Sequence, residues 1–270
     1  MTAEETLLQK RFQELAEKAY ARGIYTFTNF LGLAEQDIFS RTESSISHVP
    51  HSIFGGADGC ERVMVRFGDE DLCGYEQPFP IVCVKAEPLN HKFADALTHR
   101  DFLGALMNLG IDRAQLGDII LRDDTAYLFA TEKIAPYICE NLFRAKHTEL
   151  RCAVTETLPH GELFRLKREE CLVASERADG LLAHVYRMSR SEILEQFRMG
   201  RVFVNGRQCT SNSLTLKAGD VVSLRGMGRL IYRGVTRTTK SGKLSVDVDR
   251  YVYESAQIFR NYTNFSAFQR

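Results

Sequence analysis

Arg177, Arg187, Arg190, Arg198 and Arg201 crowd one stretch of this 270-residue sequence, and Lys217, Arg225, Arg229 and Arg233 follow at short intervals. A guanidinium is a planar fork that can hold a phosphate through two parallel hydrogen bonds or stack on an exposed base. Clustered arginines therefore point to phosphate-bearing ligands. The wider charge distribution agrees. From Arg177 to Lys243 there are 13 Lys/Arg against four Asp/Glu, a balance of +9, whereas residues 1–176 hold 19 against 28, a balance of −9. The formal net charge of zero hides a basic module joined to an acidic body, and basic modules commonly meet phosphates. A solvated face is the ordinary reading of a single charge run, but 13 cations in one module favour binding.

Other chemistries are poorly supported. The letters H-R-D at 99–101 match a kinase catalytic loop, but position 106 is Leu where Asn is required and no D-F-G follows. Asp101 reads better as a helix start that complements the helix dipole. G-G-A-D-G at 55–59 lacks the G-K-[ST] of a P-loop and reads as a tight turn. Seven histidines show no H-x-x-x-H pair and seven cysteines no C-x-x-C, so neither a metal site nor a disulfide framework is expected. No cofactor is expected. No apolar run approaches the roughly 18–20 residues that span a bilayer. The charged, amphipathic N-terminal segment reads as neither signal peptide nor anchor, so a cytoplasmic address is expected.

The arginines need a rigid support, and the local sequence supplies one. Ser189 and Glu192 have the S-x-x-E spacing of a capping box, which starts a helix abruptly and fixes its entry angle. Ile193, Leu194 and Phe197 form its apolar stripe, while Arg190 and Arg198 lie on the polar side. Gly200 suits the left-handed position that closes a helix. V-F-V-N-G at 202–206 then reads as a strand entering a type I′ turn at Asn205-Gly206.

Upstream, apolar residues at Leu7, Leu8, Phe12, Leu15, Ala16 and Ala19 predict a helix over 3–22, ended by Gly23. A second helix is predicted over 29–39, a loop over 41–52, and a strand with Val63, Val65 and Phe67 alternating. From Pro80 to Glu156 the predicted order is βαββαβ, the ferredoxin-like plan that RNA-recognition motifs (RRMs) also use. Tyr127 and Phe129 alternate on one predicted strand there. They read as a base-stacking pair or as a buried aromatic pair, and the missing K/R-G-F/Y signature favours burial. The expected fold is α+β. It comprises an N-terminal α+β domain (1–76), an RRM-like domain (77–157), a connector (158–176), a basic domain of two short helices on a small antiparallel sheet (177–253), and a tail (254–270).

In order along the chain, R-A-D-G-L-L at 177–182, Ser189-Arg190, G-R-V-F-V-N-G at 200–206 and G-D-V at 219–221 resemble the S4 domain, a small RNA-binding module. Ala178 stands where leucine is common. The resemblance implies that Arg177, Arg187, Arg190, Arg198 and Arg201 face RNA; Ser189, Lys217, Arg225, Arg229 and Arg233 complete the candidate set. F-G-G-A-D-G-C-E-R at 54–62, the run from His99 to Leu121, and R-G-M-G-R at 225–229 are in turn similar to the YlmH family of bacterial S4-domain proteins. That likeness covers about Ile53 to Tyr251. It implies an N-terminal domain, an RRM-like middle and a terminal S4 domain. It also implies association with the rRNA of large ribosomal subunits obstructed by peptidyl-tRNA, in ribosome-associated quality control, with the tRNA as a further contact.

The expected role is a non-catalytic, monomeric RNA-binding factor. Two rivals remain open. S4 modules also accompany pseudouridine synthases and RNA methyltransferases, although those usually carry the module at the N-terminus and a large catalytic domain after it. A cell-division-linked scaffold is the other, since the family has a genetic link to division.

Overall fold

The computed structural model describes residues 2–159 and 163–252, in two compact units. The predicted tail, with Phe259, Tyr262, Phe265 and Phe268, lies outside the described residues. One unit runs up to Phe164 and the other spans Arg165–Val252. Both mix α and β structure.

The first unit begins with α1 (Ala3–Arg22), started by a capping box between Thr2 and Glu5 and closed by Gly23 at φ 58°. Its inner face buries Phe12, Leu15, Ala16 and Ala19. After β1 (Thr26–Phe27) comes α2 (Leu33–Thr42), four residues later than predicted. Phe30 and Leu31 are held in extended pairings instead, with Ala114 and Val63 respectively. Glu35 then accepts the Gly32 N–H to start the helix. The predicted loop over 41–52 is shorter than expected: α2 and a 3₁₀ turn continue to Ile46, and β2 (His51–Phe54) already includes His51 and Ser52. With β3 (Met64–Phe67), these strands form a sheet of order β1-β3-β2. The short α3 (Glu70–Cys73) follows, capped by Asp69.

Next come β4 (Ile81–Pro88), α4 (His99–Asn108), β5 (Leu116–Arg122), β6 (Thr125–Thr131), α5 (Ala135–Asn141), β7 (Arg144–Ala145) and β8 (Thr148–Thr155). The sheet order is β5-β6-β4-β8-β7, with every pairing antiparallel. One face packs on α4 and α5 through Val84, Ala86, Leu128, Phe102, Leu106 and Ile138. The other face presents Cys83, Ile120 and Phe129, which pack with Phe30 and Met64 of the N-terminal segment.

A half-buried arginine helps hold these layers together. Arg62 donates to the carbonyls of Leu116 (2.8 Å), Phe30 (3.1 Å) and Arg113 (3.1 Å), while Asp118 accepts from the Glu61 and Arg62 N–H groups. Burial pulls the Arg62 guanidinium below its ordinary pKa. The G-G-A-D-G turn has a packing role as well. Gly56 sits at φ 102°, and a Cβ there would lie 2.4 Å from the Phe129 ring, so only glycine fits.

In the second unit the predicted connector is corrected. Residues 165–173 form β9 (Arg165–Val173), which pairs with β14 (Leu244–Val252) along its whole length. Charges on both faces, such as Arg168 and Glu170 on one and Lys167 and Glu169 on the other, hide the strand alternation; an edge strand carries such charges readily. Then come α6 (Ala178–Tyr186), α7 (Arg190–Arg198), β10 (Val202–Val204), β11 (Arg207–Gln208), β12 (Val221–Leu224) and β13 (Gly228–Thr238). The antiparallel sheet has order β11-β10-β12-β13-β14-β9. Leu181, Leu182, Ile193 and Phe197 from the two helices share a core with Val202, Val222, Leu230, Val246 and Val248 of the sheet.

Candidate nucleic-acid interface

The support for the arginines in the second unit is built from local capping chemistry. Helix α6 ends at Arg187, a non-glycine residue in the left-handed region (φ 54°), and the chain turns at once into α7. Ser189 Oγ accepts the Glu192 N–H (3.3 Å) and Glu192 accepts the Ser189 N–H (2.7 Å), so the capping box is present. Hydrogen bonding from Ser189 to the Glu192 carboxyl, by its side chain first and then its N–H, holds that group below its ordinary pKa. Ile193 and Phe197 are buried, and Leu194 is half-buried. Gly200 closes the helix at φ 63°, with the Gln208 side chain packed where a Cβ would stand. Asn205 (φ 51°) and Gly206 (φ 77°) make the two-residue turn between β10 and β11, as a type I′ hairpin requires.

On this support Arg187, Ser189, Arg190, Arg198 and Arg201 are all exposed. Arg198 makes an i,i+3 pair with Glu195 at 3.4 Å, at a side-chain exposure of 76%. Such a surface pair is worth about 0–1 kcal/mol and yields readily to a phosphate. Arg201 reaches Gln196 Oε1 at 3.4 Å. Its carbonyl accepts the Arg225 N–H, which places exposed Arg225 beside it. Lys217 is exposed in a turn tied by its N–H to Asp220, which also receives the Asn205 side chain. The unit as a whole, residues 165–252, carries 17 Lys/Arg against nine Asp/Glu.

Three of the predicted cations also have partners within the fold. Arg177 donates through Nε and Nη2 to Asp179 (3.0 and 2.7 Å), and Asp179 is 4% exposed. Asp179 also accepts from Gly180 N–H and Asn212, while the Ala178 and Asp179 N–H groups bond the carbonyls of Leu214 and Asn212. R-x-D therefore locks the start of α6 to the 211–215 loop. The Arg177 fork holds the Asp179 carboxyl below the usual carboxylate range. Arg229 is 5% exposed, its guanidinium 3.8 Å from the centroid of the Tyr251 ring. Arg233 and Arg168 both donate to Asp249, at 2.6 and 2.9 Å. That carboxyl is held low, by Arg168 first and then Arg233. Sequence reasoning missed Arg168 because its partner lies 81 residues away on a different strand.

The aromatic pair Tyr127 and Phe129, for which the sequence favours burial over stacking, lies on the sheet face that meets the N-terminal segment. Phe129 is 2% exposed, beneath the layer that contains Phe30 and Met64, and Tyr127 is half-buried at the same cluster. The sheet face that would offer rings to bases is therefore occupied by the chain's own N-terminal segment. Among the described residues no group of three or more His, Cys, Asp or Glu could hold a metal ion. No described helix is long and apolar enough to cross a membrane.

The family model described as "Putative RNA-binding domain in YlmH" matches residues 77–158. The chain is similar to "Ribosome-associated protein quality control protein P2" of Bacillus subtilis (strain 168), at 28% identity over 231 residues covering 83% of this chain and 86% of the relative. The solved "Cell division protein ylmH from Streptococcus pneumoniae" aligns with 57% of this chain and 93% of its own, at 20% identity and a TM-score of 0.45. Together the family-model match and the Bacillus relative bear out the resemblance to the YlmH family that the sequence motifs carry.

Proposed function

We propose that the chain is a non-catalytic RNA-binding factor that grips the rRNA of the large ribosomal subunit through its C-terminal unit and serves quality control on particles obstructed by peptidyl-tRNA. In this reading 165–252 is an S4 domain with β9 as its edge strand, and 77–158 is an RRM-like domain. Two short helices packed on an antiparallel sheet support the first assignment. The strand order β5-β6-β4-β8, with helices after its first and third strands in sequence, supports the second. The role is drawn from the name of the Bacillus relative. A single copy in the cytoplasm suffices for it, and contact with the tRNA held on the subunit extends the same surface.

The observation that carries the reading is the exposed set Arg187, Arg190, Arg198, Arg201 and Arg225 around the capped start and end of α7. Phosphate contacts dominate nucleic-acid affinity, and these five guanidinium groups are exposed to meet them. Arg190→Glu with Arg198→Glu should remove the protein from large subunits in sucrose gradients, with binding weakened about a hundredfold or more. Unchanged co-sedimentation overturns the assignment.

A further inference from the structure

The middle domain matches an RNA-binding family model, yet the sheet face on which an RRM stacks bases is covered. Its helical side offers a different surface. A cavity of about 610 Å³ lies between α4, the end of α5 and β7, lined in part by Arg100, Asp101, Asn108, Phe143, Arg144 and Lys146.

The chain holds these groups in place with ordinary backbone bonds. The Phe143 N–H donates to the Asn141 carbonyl and the Phe143 carbonyl accepts from Leu150 N–H (2.7 Å). Buried Leu142 anchors the stretch. With its backbone pinned, the Phe143 ring is left 63% exposed. Lys146 sits at φ 50° in the β7–β8 turn and pairs with Asp101 at 2.9 Å, and Asp101 is itself tied into the capping box of α4. That pair neutralises one cation. Arg100 and Arg144 are exposed and make no ion pair with an acid among the described residues. Gly104 leaves the α4 side open, since a Cβ there meets nothing within 4 Å. An excess of guanidinium charge beside a solvent-facing ring is the combination that single-stranded nucleic acid selects: cations for its backbone and a π-face for any base.

We propose that this groove takes a single-stranded stretch of RNA, with Arg100 and Arg144 on its phosphates and an unpaired base stacked on Phe143. The proposal rests on the reading of the chain as an RNA-binding factor and adds a second contact to the one at α7. It would let the middle domain bind RNA while its sheet face stays closed.

The sequence contains no tryptophan, so Phe143→Trp in the full chain places one reporter ring in the groove. Titration with a 12-nucleotide oligouridylate in dilute salt should quench its emission to saturation. Two single-strand contacts predict a slope of log K against log salt of about −1.4. Adding Arg100→Glu and Arg144→Glu should weaken the interaction about tenfold or more, and in the tryptophan-free chain Phe143→Ala should weaken binding of a fluorescein-labelled form of the same oligonucleotide about tenfold. Arg190→Glu with Arg198→Glu should leave the quenching in place. An unchanged emission spectrum overturns the groove assignment. So does quenching that survives reversal of Arg100 and Arg144 but vanishes on reversal of Arg190 and Arg198, because the ring would then be reporting the other surface. If large subunits alone are not bound, the functional proposal fails while the tryptophan signal persists, so the two failures are distinguishable.

Discussion

In the middle sheet Phe129 lies against Gly56 and beneath Phe30, whereas in the C-terminal unit Arg190 and Arg198 stand in solvent on a helix whose other side buries Ile193 and Phe197. Both regions hold the residue types of a nucleic-acid interface. They differ in what covers them. The aromatic pair has been absorbed into a layer contact stapled by Arg62, while the arginines were left outside by caps and turns that are complete without them. Residue type alone therefore does not identify the surface. What identifies it is whether the fold has already used the group.

Arg190→Glu with Arg198→Glu, described above, carries the largest expected effect on this contrast. Next comes Phe129→Ala. Removing a fully buried ring should cost about 3–5 kcal/mol, read as a lower urea midpoint for the first unit. Affinity of the folded protein for large subunits should be unchanged. A loss of affinity without loss of stability would return Phe129 to the interface.

A smaller effect separates the arginines of the second unit from one another. Asp179→Ala leaves the Arg177 fork and the Asn212 amide without their shared acceptor and should cost about 1–3 kcal/mol, seen in thermal unfolding. The pH dependence follows from the same bonds. Asp179 and Asp249 are both held below their ordinary values in the folded chain. Their contribution is therefore present above the unfolded carboxylate pKa of about 3.9 and is lost as pH falls through the folded values. Stability of the second unit should decline below about pH 4, less steeply in Asp179→Ala. Equal acid sensitivity of the two proteins would show that Asp179 contributes nothing to that decline.

Much of the support was legible in the sequence because it is local. Ser189 with Glu192, Gly200, and Asn205-Gly206 each act within a few residues, and each takes the predicted form. The βαββαβ order was readable from hydrophobic spacing for a similar reason. What escaped is long-range. Alternation assigns Phe129 to a sheet face but says nothing of Phe30 and Met64 arriving from the N-terminal segment. The R-x-D spacing shows that Arg177 and Asp179 are near each other but not that Asn212 completes the lock. The charges of β9 conceal a strand whose partners lie about 80 residues away. Arg229 and Arg233 could be listed as cations from sequence, but the burial of one against Tyr251 and the pairing of the other with Asp249 depend on a tertiary fold.

In the proposed reading a handful of exposed guanidinium groups at α7 and its flanking turns bind the RNA backbone. The most direct test of that reading is the salt dependence of binding between the full chain and purified large subunits. About five neutralised phosphates predict a slope of log K against log salt of about −3.5 to −4.5, reduced in magnitude by about 1.4 to 1.8 in the Arg190→Glu, Arg198→Glu protein. A slope near zero, or one that the double substitution leaves unaltered, contradicts the account.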